Sequence, residues 1–229
     1  MLNKCKFLFI LSIFTFYSCT THKKNMNDKY LNNTTDIHSW ISKFENNERE
    51  VFKFRKLIVN ELEIKKNESI ADIGAGTGFF LDLIHANMSG ESDLYGVDIS
   101  EKFVKYMNER VSKNKLSRAK IILGNLNSTT LKNETVNKII LVDTFHHFDN
   151  PRLMLEDIRN VLRPGGTLYI IDFDKNSKNL SPWLRKHITS SKEDYINQIK
   201  ENNFEFIKEH KIGLTENFML SFRVKKGVL

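Results

Sequence analysis

A glycine-rich stretch from Ser69 to Phe80 constrains the fold of this chain more than any other part of its sequence. It reads S-I-A-D-I-G-A-G-T-G-F-F, which predicts a short buried strand over Ser69–Ile73, a turn with glycines at alternate positions, and a helix opening near Thr77. Strand, tight turn and helix N-terminus together present free backbone N–H groups and the positive end of a helix dipole. This arrangement favours the binding of a nucleotide-like ligand.

The spacing of the glycines narrows the choice of ligand. Gly74, Gly76 and Gly78 follow a G-x-G-x-G pattern, and Phe79 occupies the position where a dinucleotide-binding fingerprint has its third glycine. A nicotinamide-dependent oxidoreductase is therefore disfavoured. With Asp72 before it, D-I-G-A-G-T-G resembles motif I of class I S-adenosylmethionine-dependent methyltransferases, of the kind called methyltransferase type 11. The resemblance implies S-adenosyl-L-methionine as the cofactor.

Two further junctions between a strand and a loop agree with this resemblance. Asp98 ends a predicted strand about 20 residues beyond the glycines, the distance at which an acidic side chain meets a ribose diol in this architecture. Asn125 follows the next strand, where the family commonly has an acid facing adenine. An Asn accepts a hydrogen bond through its carbonyl oxygen but carries no charge.

Two blocks behind the glycine motif also match many small-molecule methyltransferases. These are V-D-T-F-H-H-F, which contains Asp143, His146 and His147, and L-R-P-G-G-T-L further on. The two histidines are the candidates for a general base, because imidazole titrates near neutral pH. Structural roles for both remain the alternative. The resemblance implies cofactor contacts from Asp72, Gly74, Ala75, Gly76, Thr77, Gly78, Asp98, Ile99, Asn125, Leu126 and Asp143.

The order of predicted elements indicates an α/β fold. Strands and helices alternate from the glycine motif onward, which predicts a Rossmann-like, doubly wound, mostly parallel sheet with helices on both faces. The resemblance adds an antiparallel closing hairpin. The methyltransferase domain is predicted over 36–229, and within it 36–64 forms helices that break at Asn46-Asn47. The resemblance implies that these helices cover the cofactor cleft, with Arg49, Phe52 and Arg55 as candidate lid residues. An ordinary amphipathic helix with solvated arginines is the alternative for each of them. The polar segment 176–191 is predicted to be loop.

The first residues have a different character. Residues 1–18 combine two lysines with a short apolar run, which is typical of a signal peptide or a hydrophobic anchor. The junction before Cys19 resembles a bacterial lipoprotein processing site, which implies lipidation of Cys19 and a membrane-anchored protein of the cell envelope. An uncleaved anchor, with the domain at the cytoplasmic face of the membrane, is the alternative. Residues 19–35 are predicted to form a flexible tether.

Composition excludes several classes of function. Both cysteines lie in the first nineteen residues, so the globular part has no disulfide, thiolate metal site or cysteine nucleophile. The net charge of +7 comes from scattered lysines without a basic helix face, which argues against nucleic acid as a partner. No cluster of His, Asp and Glu stands at metal-ligand spacing, so no metal site is predicted. The sequence does not indicate an oligomeric state.

These observations predict an enzyme that moves a methyl group to a small-molecule or lipid-like acceptor by in-line displacement. Because the cofactor is already activated, the protein mainly has to align donor and acceptor and exclude water. The alternative is a non-catalytic protein of the same fold that binds S-adenosylmethionine or a nucleoside at the envelope. It is motivated by the leader, since this cofactor is made in the cytosol.

Overall fold

The computed structural model describes residues 26–32, 36–225 and 227. The predicted leader and the predicted lipidation site Cys19 therefore lie outside the described residues. Within the described ranges, no helix has both the length and the apolar character needed to cross a membrane.

A seven-stranded sheet forms the centre of the fold. Its strands stand in the order β3-β2-β1-β4-β5-β7-β6, with parallel pairing as far as β5 and antiparallel pairing of β7 with both β5 and β6. The predicted mostly parallel sheet with an antiparallel hairpin is confirmed. The strands are β1 Ile70–Ile73, β2 Leu94–Asp98, β3 Ala119–Leu123, β4 Val136–Val142, β5 Leu162–Phe173, β6 Phe204–Glu209 and β7 Asn217–Val224.

Nine α-helices surround this sheet in the described part of the chain. They are α1 Asp28–Leu31, α2 Ile37–Phe44, α3 Glu50–Lys53, α4 Arg55–Glu61, α5 Phe79–Asn87, α6 Glu101–Lys113, α7 Pro151–Val161, α8 Pro182–His187 and α9 Lys192–Glu201. A short 3-10 helix, Phe145–His147, follows β4.

The core lies on both faces of the sheet because the central strands are apolar on both sides. Ile139 and Leu141 of β4 pack with side chains of α7 and α9, whereas Ile140 and Val142 pack with side chains of α4 and α5. Alternate residues of a strand point to opposite faces, so an unbroken apolar run buries both. Helices on both faces, as predicted, follow from this pattern.

The structure differs from the predicted elements in two places. The helix predicted after Asn46-Asn47 is interrupted at Phe54, which separates α3 from α4. At this break the Phe54 ring packs against Gly213. A Cβ added at Gly213 would lie 3.3 Å from the ring. The segment predicted as loop contains α8, which Ser181 caps by accepting a hydrogen bond from the Leu184 N–H.

The predicted tether is corrected at its C-terminal end. Residues 26–32 contain α1, and the Asn27 side chain is only 3% exposed. Asn27 Nδ2 donates a hydrogen bond to the backbone oxygen of His147 at 2.9 Å, and the Tyr30 ring packs 5.2 Å from the Trp40 ring. Polar composition suggested a segment with little to bury, but Asn27 is buried by a contact with His147, which is 120 positions away in the chain.

Candidate functional site

A cavity of about 480 Å³ opens at the carboxyl ends of the central parallel strands. The turns after β1, β2, β3 and β4 form its floor, and α2, α8 and the residues around α1 cover it. Open α/β sheets bind ligands at this edge, and the volume lies in the range typical of small-molecule sites. The cavity therefore occupies the position that the glycine motif predicted.

The glycine turn approaches the cavity through its backbone. Gly76 has a φ of +56°, and its N–H donates a hydrogen bond to Asp98 Oδ2 at 2.8 Å. A Cβ added at Gly76 would lie 3.2 Å from the Phe44 ring of α2. The turn therefore needs glycine both for its left-handed conformation and for the closeness of the covering helix.

Two buried carboxylates stand beside this turn. The Asp72 residue is 2% exposed and Asp98 is 6% exposed, and both line the cavity. Burial, with a smaller effect of the nearby Asp98 charge, raises the pKa of Asp72 to about 7. Burial raises the pKa of Asp98 to about 6, although backbone N–H groups, among them that of Ser100, oppose the rise. A cationic or hydroxyl-bearing ligand would stabilise these carboxylates in their ionised form.

Two residues of the predicted set do not line the cavity. Thr77 is fully buried behind the turn, and its Oγ1 has no hydrogen-bond partner among the residues that the structure describes. Gly78 caps α5 with a φ of +71°, and a Cβ there would lie 2.9 Å from the Met107 side chain of α6. The structure thus gives these two positions a role in joining β1 to α5, because α5 and α6 approach closely here.

The predicted adenine side of the site lies at the turn after β3. Ile99, Asn125 and Leu126 line the cavity, as predicted. Asn125 Oδ1 accepts a hydrogen bond from the Asn127 N–H at 3.0 Å, so this oxygen already shapes its own turn. The Asn125 amide nitrogen is the part of the side chain with no such bond within the described residues.

Asp143 lies at the cavity in an uncommon backbone conformation, with a φ of +48°. Its Oδ2 accepts hydrogen bonds from Arg49 Nη2 at 2.8 Å and Nε at 3.3 Å, and its Oδ1 accepts one from Asn217 Nδ2 at 2.6 Å. The Asp143 side chain is only 6% exposed. The predicted lid residue Arg49 therefore lies over the cleft and is held there by Asp143.

His146 and His147 both line the cavity. His146 Nδ1 lies 2.7 Å from Asp172 Oδ1, and its backbone N–H donates to Asp172 Oδ2. Burial alone would lower the pKa of His146, but the charge and hydrogen bond of Asp172 raise it above its ordinary value. Burial lowers the pKa of His147 to about 2. The two adjacent imidazoles therefore have opposite electrostatic environments.

Sequence reasoning missed three aromatic residues of the site. Tyr30 of α1 contacts His147 edge-on at 5.3 Å between ring centroids, and Trp183 of α8 stacks on His187 at 4.7 Å. All three line the cavity, although they were assigned to a tether and a loop. The serine and proline at the start of α8 are a helix-start signal that would have predicted this helix.

Comparison with known proteins identifies the kind of domain. Residues 64–219 match the family described as "Methyltransferase domain". A solved S-adenosylmethionine-dependent methyltransferase from Aquifex aeolicus shares 26% identity with a TM-score of 0.70, covering 82% of this chain and 98% of that one. These matches confirm S-adenosylmethionine as the cofactor.

Two curated relatives match more locally. The arsenite methyltransferase of Halobacterium salinarum is 28% identical over 105 residues, or 46% of this chain and 27% of that protein. The demethylmenaquinone methyltransferase of Listeria monocytogenes is 23% identical over 131 residues, or 57% of this chain and 54% of that protein. The chain thus spans about a quarter to a half of the length of these relatives.

The residues at the glycine turn fit this cofactor. S-adenosylmethionine carries an ammonium group, a sulfonium and a ribose diol, and the turn offers two buried carboxylates beside a backbone that has no side chain at Gly74 or Gly76. Asp72 suits the ammonium group because it is a buried anion, and Asp98 suits the diol because a carboxylate accepts two hydroxyl hydrogen bonds.

Proposed function

This chain belongs to the methyltransferase-domain family, and we propose that it moves the methyl group of S-adenosylmethionine to a small-molecule or lipid-like acceptor by in-line displacement. The cofactor supplies a methyl group that is already activated on a sulfonium. What remains for the protein is to hold two ligands in line and to keep water away.

The observation that supports this proposal most is the continuity of one cavity. The glycine turn and Asp98 line it at the ends of β1 and β2, and Phe173, Trp183 and His187 line it near the end of β5 and on α8. A cofactor held at the glycine turn leaves the aromatic side for an acceptor. An apolar, aromatic wall with few polar groups suits a small organic molecule or the head of a lipid-like one.

The covering helices suit the exclusion of water. Arg49 connects α3 to Asp143 after β4, and Phe44 of α2 lies close above Gly76. A lid that is held by an ion pair closes the cleft on the side of the glycine turn. In this proposal Arg49 positions the lid rather than touching the acceptor.

The names of the relatives agree with a small acceptor. One is named for arsenite and another for demethylmenaquinone, and both names denote small molecules. Because the chain covers only part of these proteins, their acceptors are not assigned to it. They support the class of acceptor, not its identity.

The test is cofactor binding followed by methyl transfer. We expect calorimetry to show binding of S-adenosylmethionine to the full chain, and Asp98→Ala to weaken it at least tenfold. Asp93→Ala is the matched control, because Asp93 precedes the same strand but pairs with Lys120 at the surface. Failure of the intact protein to bind the cofactor would overturn the proposal.

Transfer of a labelled methyl group to a fraction of a bacterial extract separates the two functional alternatives. We expect label in the small-molecule or lipid fraction, and none with Asp98→Ala. Cofactor binding without transfer to any fraction would favour the non-catalytic binding protein.

We also propose that residues 1–18 direct the chain to a membrane of the cell envelope, and that lipidated Cys19 anchors the domain there after their removal. The support is the sequence alone: a basic start, a short apolar run and a small residue before Cys19. Several acyl chains on one cysteine would give stable anchoring. A lipid-like acceptor would then be reached at the surface that carries it.

A further inference from the structure

We propose that His146, His147 and His187 form a binding site for one divalent first-row transition-metal ion, with a coordination position open to the cavity. This goes beyond the proposed methyl transfer and does not depend on it. The three side chains come from two elements that are distant in sequence, the 3-10 helix after β4 and α8.

The geometry brings three possible ligand atoms together. Each of the three imidazoles offers one ring nitrogen, and these nitrogens lie within 4.8 Å of one another. The ring centroids of His146 and His147 are 4.1 Å apart, and the ring of His187 lies 5.4 Å and 5.7 Å from them. No other group of His, Cys, Asp and Glu with this geometry occurs among the residues that the structure describes.

Two ring nitrogens of this histidine group are unsatisfied. Within the described residues, His147 Nδ1 and His187 Nε2 are buried and make no hydrogen bond. Leaving a buried polar atom without a hydrogen bond destabilises the folded state. A metal ion bound by both nitrogens would satisfy them at once.

The third imidazole is already oriented as a ligand. His146 Nδ1 lies 2.7 Å from Asp172 Oδ1, which leaves Nε2 as the nitrogen available for a metal. The Asp172 residue is fully buried, so its position is fixed. A carboxylate behind a ligating histidine is the usual arrangement in metal sites, because it fixes the ring and increases the basicity of the other nitrogen.

The donor set indicates which ions would bind. Three neutral imidazoles suit Zn²⁺, Co²⁺, Ni²⁺ or Cu²⁺, whereas Mg²⁺ and Ca²⁺ prefer oxygen ligands. Zinc–nitrogen distances of about 2.0–2.1 Å require the nitrogens to approach to about 3.4 Å in a tetrahedral site. Binding would therefore require the three rings to move closer together, and His187 is on a different element from the other two, the short helix α8.

Three protein ligands leave the fourth position of a tetrahedral ion free. All three histidines line the cavity, so that position faces the side proposed for the acceptor. An oxygen or another donor atom of a small molecule would fit there.

The test is titration of the full chain, without a polyhistidine tag, with Co²⁺ and Zn²⁺. We expect one ion per chain by calorimetry and Co²⁺ absorption bands of nitrogen ligation. A thiolate-to-cobalt band would instead identify Cys5 or Cys19 as ligands and overturn the assignment. His187→Ala is expected to weaken binding at least tenfold, and Asp172→Asn by about 10- to 100-fold.

The matched control is His85→Ala, which removes a half-buried histidine of α5 that does not line the cavity. We expect it to bind metal like the wild type, with circular dichroism confirming that every variant is folded. Absence of stoichiometric binding to the wild type, or binding to His187→Ala that equals the wild type, overturns the proposal. Asp98→Ala should lose the cofactor but keep the metal, so failure of one proposal is distinguishable from failure of the other.

Discussion

Arg49 and Asp143, 94 positions apart in the chain, form an ion pair of 2.8 Å between Nη2 and Oδ2 that connects the N-terminal helices to the end of β4. The Asp143 side chain is 6% exposed and that of Arg49 is 23% exposed. Burial by itself raises the pKa of Asp143, and the Arg49 charge opposes this. The Arg49 guanidinium therefore favours the ionised form of a carboxyl group that burial disfavours.

We expect Arg49→Ala to lower the free energy of unfolding by about 2–3 kcal/mol, because it leaves a buried carboxylate without its cation. Urea unfolding measures this. Arg223→Ala is the control, since its pair with Glu205 is more than half exposed on both sides and is expected to contribute less than about 1 kcal/mol. Equal losses in the two variants would contradict a special role for the Arg49 pair. Cofactor affinity should fall only in Arg49→Ala.

The buried carboxylate of Asp72 predicts a pH dependence of stability. Its pKa is about 7 in the folded protein and about 3.9 in an unfolded chain. Folding therefore takes up a proton between these values, so the stability that Asp72 contributes is fully present below pH 4 and is lost as pH rises through 7. Asp72→Asn has no carboxyl group at this position and therefore does not lose this stability. The free energy of unfolding of Asp72→Asn minus that of the wild type should rise between pH 4 and pH 7.

Urea unfolding of both proteins across this pH range provides the measurement, and taking the difference cancels the titration of other groups. Asp93→Asn is the control. The hydrogen bond from Lys120 is the largest effect on Asp93 and lowers its pKa, so this residue is ionised in both states above pH 5. The difference in the free energy of unfolding between Asp93→Asn and wild type should stay constant from pH 5 to pH 8. If the difference between Asp72→Asn and wild type also stays constant, the prediction is wrong.

Two glycines with similar φ angles are expected to respond differently to replacement by alanine. Gly74 has a φ of +73°, and an added Cβ would lie 2.3 Å from Thr144 Cγ2. Gly165 has a φ of +78°, and nothing lies within 4 Å of such a Cβ. We expect Gly165→Ala to cost about 1 kcal/mol from backbone strain alone, and Gly74→Ala about 1–3 kcal/mol more from overpacking. Thermal unfolding of both variants tests this, and similar melting temperatures would refute it.

The leader predicts one specific modification. Expressed in bacteria with labelled palmitate, the full chain should carry label and sediment with membranes, and Cys19→Ser should do neither. Cys5→Ser is the control, because Cys5 lies within the segment that processing would remove. Label that persists in Cys19→Ser, or membrane association without any label, would favour an uncleaved anchor instead.

Much of the fold was predictable from the sequence because its signals are local. The strand predicted over Ser69–Ile73 corresponds to β1, Ile70–Ile73, and the helix predicted to open near Thr77 corresponds to α5, which begins at Phe79. The glycine motif and Asp98 were assigned from spacing, and the structure brings them within hydrogen-bond distance. A strand, its turn and its helix are set by neighbouring residues, so their pattern is visible in one dimension.

The errors have a physical cause in common. Residues 26–32 look like tether by composition, and residues 182–187 lie in a segment that looks like loop, yet both form helices over the cavity. Their helices are short and would not be stable alone, so contacts with distant residues decide their structure. Thr77 and Gly78 do not line the cavity, and Gly78 lies close to Met107 of α6, so their contact with the cofactor stays a prediction.

The sequence by itself therefore determined the α/β class of the fold, the family and the cofactor, since each depends on residue types at fixed short spacings. Only the tertiary structure decided which side chains meet across the cavity. It paired Arg49 with Asp143 and gathered His187 with His146 and His147. Such contacts depend on how separate elements pack against one another. No local sequence pattern shows which side chains from distant parts of the chain will meet.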